Sequence, residues 1–280
     1  MAKYICPVII WARLLFTAKI TRNARKQRKH LSFGSFCVLC GEVSSIVKCQ
    51  HILTLSGVDT MIIDISRMLS PETAVWPGDK KFDITKNLAI AQGDTVNLTT
   101  LTLSAHTATH VDAPYHFTEA GQTIEALALR PFWGLAQVVT ITKEAGPLYP
   151  ADFAAFDLTR APRLLVRTTA GQLPLSQFPE AIVYPTPELA AFLAENGIIL
   201  YGTDAPSMDA IDSKELSGHY ALYRHGIAIL EWLDLTRASD GLYELVALPL
   251  KIEGGDGSPV RAALRPFSPA GNDEKQQIQE

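Results

Sequence analysis

The chain has 280 residues, 47% of them hydrophobic and 19% charged, with a mean hydropathy of +0.10; this describes a globular protein with a real core and excludes a disordered chain, a collagen-like repeat and a multi-pass membrane protein. The net charge of −4 hides an asymmetry: the first 60 residues carry nine Lys/Arg against Glu42 and Asp59, whereas the remaining 220 carry 16 basic and 27 acidic side chains. All four cysteines (Cys6, Cys37, Cys40, Cys49) lie in the basic part, so the acidic body can form no disulfide.

Residues 1–60 read as an extension, disordered or dispensable. The apolar run from Pro7 to Ala18 is interrupted by Arg13 and falls short of the roughly 18 to 20 residues of a spanning helix. Arg22 to His30 has the composition of a transit peptide or a nucleic-acid patch without further support for either. Cys37-x2-Cys40-x8-Cys49-x-His51 imitates a zinc site at a spacing shorter than fingers or ribbons use. The alternation of Ile63 and Ile65 after Met61 looks like the start of a compact domain, expected over residues 61–268 with a tail at 269–280.

Strands are expected at 62–66, 96–105, 136–141, 163–167, 198–202, 227–231 and 243–248, with turns at Pro77-Gly78, Ala113-Pro114, Gly146-Pro147 and Gly254-Gly255. A helix is expected over 186–196, stopped by Gly197. A second is expected to start at a capping box, with Asp212 as N-cap and Glu215 three positions on, and to close at Gly226. The expected fold is therefore a single α/β domain with a mixed β-sheet core, few helices and no phosphate-binding glycine loop.

Five histidines remain in the body, three of them within His106-x3-His110-x-Asp112-x3-His116. Imidazole and carboxylate are the usual donors for a divalent transition metal. On a straight strand His106 and His110 would lie about 13 Å apart, and on a helix Asp112 would leave their face. Only a strand broken by a tight turn presents all three together. Further along, His219 sits in the second expected helix, and Glu231 ends an apolar strand face shared by Ile227 and Ile229. A buried carboxylate there needs a cation or hydrogen-bonding partner, and Asp112 has two oxygens with which to bridge two ions.

The sequence resembles the cyclase-type metal-dependent hydrolases, most closely their bacterial kynurenine formamidase branch. The resemblance is carried by Trp76-Pro77-Gly78-Asp79, by Asp94 through Leu103, by Ser104 through Phe117, by Gly202-Thr203-Asp204-Ala205-Pro206-Ser207-x-Asp209, and by His219 through Leu235. It runs in order through residues 61 to about 268. It implies that His106, His110 and Asp112 bind one zinc, that Asp112 bridges to a second zinc held by His219 and Glu231, and that His116 is the catalytic acid/base. Trp76 matches the aromatic residue that meets the substrate. The resemblance further implies a cytoplasmic homodimer that binds two Zn2+ per subunit, with Mn2+ as a substitute. Its implied reaction is arylformamidase hydrolysis of N-formyl-L-kynurenine in tryptophan degradation. The expected partner is a small aryl formamide, with no nucleic acid and no membrane.

The family usually has glycine where this chain has Ala108. If that position needs φ > 0, alanine costs on the order of 1 kcal/mol. No Gly-x-Ser-x-Gly elbow is present, so a serine hydrolase is disfavoured. Ser207, Asp204 and Asp209 read as structural or supporting residues, and Arg224 and His225 as a favourable charge at a helix end. The alternatives are another amidohydrolase of the same family, such as an isatin-type hydrolase, and a non-catalytic metal-binding protein.

Overall fold

A computed structural model describes residues 61–267. The expectations for residues 1–60, for Cys37, Cys40, Cys49 and His51, and for the tail at 269–280 lie outside the described residues.

The β-branched runs become strands, and several shorter segments join them. In chain order the strands are β1 (Ile63–Asp64), β2 (Asp83–Leu88), β3 (Leu98–Thr102), β4 (His110–Asp112), β5 (Trp133–Thr140), β6 (Gly146–Leu148), β7 (Arg163–Arg167), β8 (Val183–Pro185), β9 (Leu200–Thr203), β10 (Ala228–Glu231), β11 (Gly241–Val246), β12 (Gly257–Pro259) and β13 (Ala263–Pro266). Two α-helices occur among the described residues, α1 (Pro187–Glu195) and α2 (Ser217–Arg224). This is the mixed-sheet α/β domain with few helices expected from the sequence. None of these helices is long and apolar enough to cross a membrane.

Nine strands form one sheet in the order β1-β13-β11-β5-β7-β9-β10-β4-β12. The centre, β5-β7-β9-β10, is parallel, and antiparallel pairs flank it on both sides. Neighbouring residues on the central strands feed two different cores. Val138, Leu165, Leu200 and Leu230 join one cluster, while Val139, Leu164, Tyr201 and Ile229 join the other. Burial on both faces is what makes β7 an unbroken apolar run at Leu164, Leu165 and Val166. The helices cover one face through Leu189, Leu193, Ala221 and Leu222. On the other face Val111 of β4 shares a cluster with Leu245 of β11 and Leu264 of β13, strands far away in the sheet order, so the sheet curls over its own core.

Helix α1 begins as expected: Thr186 accepts from the Leu189 amide at 3.1 Å, Pro187 opens the first turn, and Gly197 follows the end at φ 78°. Helix α2 does not start at the expected capping box. Asp212 to Glu215 form a turn, and Asp209 supplies the cap, accepting from the Gly218 amide at 2.7 Å and the His219 amide at 3.1 Å. A more distant carboxylate thus satisfies the donors that a local box would have taken.

Candidate metal centre

Four structural elements converge on one cleft of about 480 Å3, lined among others by His106, His110, His116, His219 and Glu231. His110 and Asp112 are two residues apart on β4 and therefore share a face. Glu231 of β10 is the antiparallel partner of His110, so the sheet register sets these two side by side. His219 comes from α2, and His106 from the turn that precedes β4, closed by the Thr107 amide donating to Ser104. The broken strand required by the His106–Asp112 spacing is thus present, with the turn before the strand. A smaller apolar cavity of about 230 Å3, lined by Phe117, Phe132 and Ile227, lies on another side of Asp112 and offers little chemistry.

The carboxylates divide their oxygens between different imidazoles. Asp112 Oδ1 is 2.9 Å from His106 Nδ1 and 3.2 Å from His110 Nε2, while Oδ2 is 3.4 Å from His219 Nε2. Glu231 places Oε2 3.4 Å from His110 Nε2 and Oε1 3.4 Å from His219 Nε2. Both carboxylates are buried, and Asp112 Oδ2 and Glu231 Oε1 have no hydrogen-bond partner. Two orphaned carboxylate oxygens facing one imidazole nitrogen are costly without a cation. Together with the nitrogen-rich donor set, they fit a divalent transition metal. Two donor groups fall within metal-binding reach, His110-Asp112-Glu231 and His106-Asp112-His116, with Asp112 common to both.

Burial opposes the charged form of each imidazole, but the carboxylates outweigh it. His106 is raised to about 9 by Asp112 and Asp256, and His110 to about 10 by Asp112 and Glu231. His219 is raised by Asp112, Asp209 and Glu231, while Asp112 and Glu231 are held low by the same imidazoles against their own burial. The cluster thus retains positive charge where a metal would supply it. His116 differs: burial lowers its pKa and favours the neutral ring.

The remaining ring nitrogens are tied down. His219 Nδ1 donates to Asp209 at 2.6 Å, and His110 Nδ1 donates to the carbonyl of Ala108 at 2.7 Å, which leaves each Nε2 facing the carboxylates. Ala108 has φ 58°, the left-handed conformation that the glycine comparison anticipates. Leu216 at φ 48° and Trp232 at φ 54° are the other non-glycine residues with positive φ among the described residues. All three flank the site: Ala108 in the ligand turn, Leu216 before the helix of His219, and Trp232 after Glu231. Backbone strain is therefore concentrated around the candidate ligands. The Thr109 hydroxyl holds one of these bends, donating to the Trp232 carbonyl at 2.6 Å.

Trp76 lines the same cleft and meets Phe178 edge-on at 5.3 Å, with Phe178 in turn 5.8 Å from Trp232. Ser207 also lines it and accepts from the Asp209 amide at 3.1 Å. Asp204 points elsewhere, accepting from the Thr168 amide at 2.8 Å and hydroxyl at 2.6 Å. The Arg224 guanidinium lies over Tyr220 at 5.9 Å. Two acids near the ligands were not assigned from the sequence to the site. Asp209 reads from the sequence only as a structural or supporting residue, and Asp256 lies in a glycine-rich turn that reads only as a loop.

The family model described as putative cyclase matches residues 63–210. The kynurenine formamidase of Salinibacter ruber is 46% identical over 205 residues, covering 73% of this chain and 97% of that protein. The chain belongs to the cyclase family, on its kynurenine formamidase branch. A Bacillus cereus kynurenine formamidase is 41% identical over 206 residues with the same coverage. Among solved members of the family's fold, a potential metal-dependent hydrolase with cyclase activity superposes with TM-score 0.64 at 25% identity, covering 75% of this chain and 99% of that one. Isatin hydrolase A from Labrenzia aggregata, bound to benzyl benzoate, gives 0.63 at 26% identity over 74% and 94%. These relatives and neighbours, together with the candidate His/Asp/Glu site, support a metal-dependent hydrolase.

Proposed function

We propose that this chain hydrolyses N-formyl-L-kynurenine to L-kynurenine and formate, the arylformamidase step of tryptophan degradation. The observation that carries the reading is the pair of buried carboxylates whose oxygens are shared out among three imidazoles, in a chain 46% identical to a kynurenine formamidase. His106, His110 and Asp112 would hold one Zn2+, with His219, Glu231 and the second oxygen of Asp112 holding another; Mn2+ suits the same donors. A divalent ion bound there supplies Lewis acidity and a water acidic enough to ionise near neutral pH.

The chain's own residues divide the remaining work. Trp76, backed by Phe178, offers an aromatic face for the substrate ring. His116, neutral and at the cleft, takes a proton at Nε2 as water adds to the formyl carbon. It returns that proton to the aryl nitrogen as the C–N bond breaks, so the leaving group departs as a neutral amine. Asp209 keeps His219 in one tautomer through the cycle.

The structural likeness to isatin hydrolase A supports one competing reading, a cyclic amide substrate. Purified protein assayed in parallel on N-formyl-L-kynurenine and isatin separates the two, and faster turnover of isatin would overturn the formamidase reading. Two copies are proposed to pair through the β2–β3 hairpin. Every residue of its two strands is exposed, Ile84, Leu98 and Leu101 included, and a two-stranded ribbon is barely stable alone in water. A monomeric mass by light scattering would remove that proposal. The enzyme is proposed to act in the cytoplasm.

A further inference from the structure

A carboxylate outside the proposed ligand set touches two of the site's imidazoles. Asp256 Oδ2 lies 3.1 Å from His106 Nε2 and 3.6 Å from His116 Nδ1. The two rings are stacked, with centroids 3.9 Å apart and planes inclined by 35°, so one oxygen sits at the edge of the pair. The backbone fixes this placement. The Ala113 amide donates to the Asp256 carbonyl at 2.9 Å and the Ile124 amide to the Gly255 carbonyl at 2.8 Å, which ties the Asp256 loop to both ends of the segment that carries His116. Gly257 adds a steric condition: a Cβ there would fall 2.8 Å from His106 Cε1, so only glycine lets the ring lie against this loop.

We propose that Asp256 is a positioning residue that couples the metal centre to the acid/base histidine. It accepts the Nε2–H of His106, which leaves the Nδ1 lone pair of that ring turned toward Asp112, available to a metal ion shared with that carboxylate. The same oxygen is placed to accept the Nδ1–H of His116 when substrate fills the site, which leaves Nε2 free to carry the proton moved during hydrolysis. The tautomer of an imidazole is set by the bond its other nitrogen makes, and such outer partners hold ligands and bases in register. The His116 contact is longer than a hydrogen bond in the free protein, as catalytic contacts often are before substrate fills the site. The inference rests on the function proposed above.

The test uses the full chain with Asp256→Asn and Asp256→Glu, alone and with His116→Asn, and two readouts. The first is zinc affinity by chelator competition without substrate. The second is kcat and KM for N-formyl-L-kynurenine at saturating zinc. Asp256→Asn is expected to weaken zinc binding about 10- to 100-fold and to lower kcat by about 10- to 100-fold. KM is expected to stay within about twofold, because the lost interaction orients a proton carrier rather than the substrate. Asp256→Glu is expected to recover part of both losses. In the His116→Asn background the further loss of kcat should be under about threefold, since the ring being positioned is gone. Unchanged zinc affinity, unchanged kcat, or full additivity with His116→Asn would each overturn the proposal. If the unmodified protein does not hydrolyse N-formyl-L-kynurenine, the proposed function fails instead, and the zinc measurement still decides the role of Asp256.

Discussion

The carbonyl of Ala108 accepts the Nδ1–H of His110 at 2.7 Å, and it can do so because Ala108 adopts φ 58°. The left-handed turn that aims the His110 ring is thus held by a residue poorly suited to it. Left-handed geometry costs alanine about 1–2 kcal/mol, and glycine gives back about 0.4–1 kcal/mol through the entropy of the unfolded chain. Ala108→Gly is therefore expected to stabilise the protein by about 0.5–1 kcal/mol and to raise Tm by roughly 2 °C in a domain of this size. Differential scanning calorimetry checks it. A fall in Tm would mean that packing of the buried methyl outweighs the strain.

Under the proposed chemistry His116 and Asp112 have separable roles. His116→Asn is expected to keep its zinc and to lose about 10²- to 10⁴-fold in kcat, the usual contribution of a general acid/base. Asp112→Asn removes a charge on which three imidazoles converge and should lose both zinc and activity. Elemental analysis beside the kinetics distinguishes them. Zinc lost from the His116 variant would make that ring a ligand, as its nearness to His106 and Asp112 permits.

Asp209 serves two ends at once, capping α2 and fixing His219. Asp209→Ala should cost about 1 kcal/mol from the cap alone and weaken zinc binding by about 10- to 100-fold. Thermal melts of the metal-free protein isolate the first effect, and chelator competition the second. Zinc affinity equal to the unmodified protein's would show that His219 needs no orienting partner.

Burial pushes the Asp204 carboxyl up to about 7, although Thr168 donates to both its oxygens. Its folded-state pKa thus lies above the ordinary value of 3.8, and the folded protein binds this proton more tightly than the unfolded chain. The associated stability is complete below the unfolded pKa and is lost as pH rises through the folded one. The Tm of the unmodified protein, measured relative to Asp204→Asn, should therefore fall from about pH 4 to about pH 7 and level off above that. A constant or rising difference would contradict the assignment.

The central strands were legible because burial on both faces leaves short, nearly unbroken apolar runs: β7 occupies the expected 163–167, and β5, β9 and β10 overlap their expected ranges. β4 was hidden because it spans three residues, two of them polar candidate ligands, and β2, β12 and β13 lack an apolar run that periodicity could register. The start of α2 was misplaced because its cap arrives through a contact with Asp209 rather than from the adjacent Asp212. The histidine cluster was readable from spacing, since four of the six residues that form it fall within eleven positions. Asp256 was not, because 150 residues separate it from His106 and only the β12–β4 pairing brings them together.

Turnover of N-formyl-L-kynurenine by the purified protein, with zinc and after its removal by a chelator, tests the account most directly. Release of L-kynurenine and formate that stops on chelation and returns with zinc is the predicted result. Absence of turnover with zinc bound, or full turnover after zinc is removed, would contradict it.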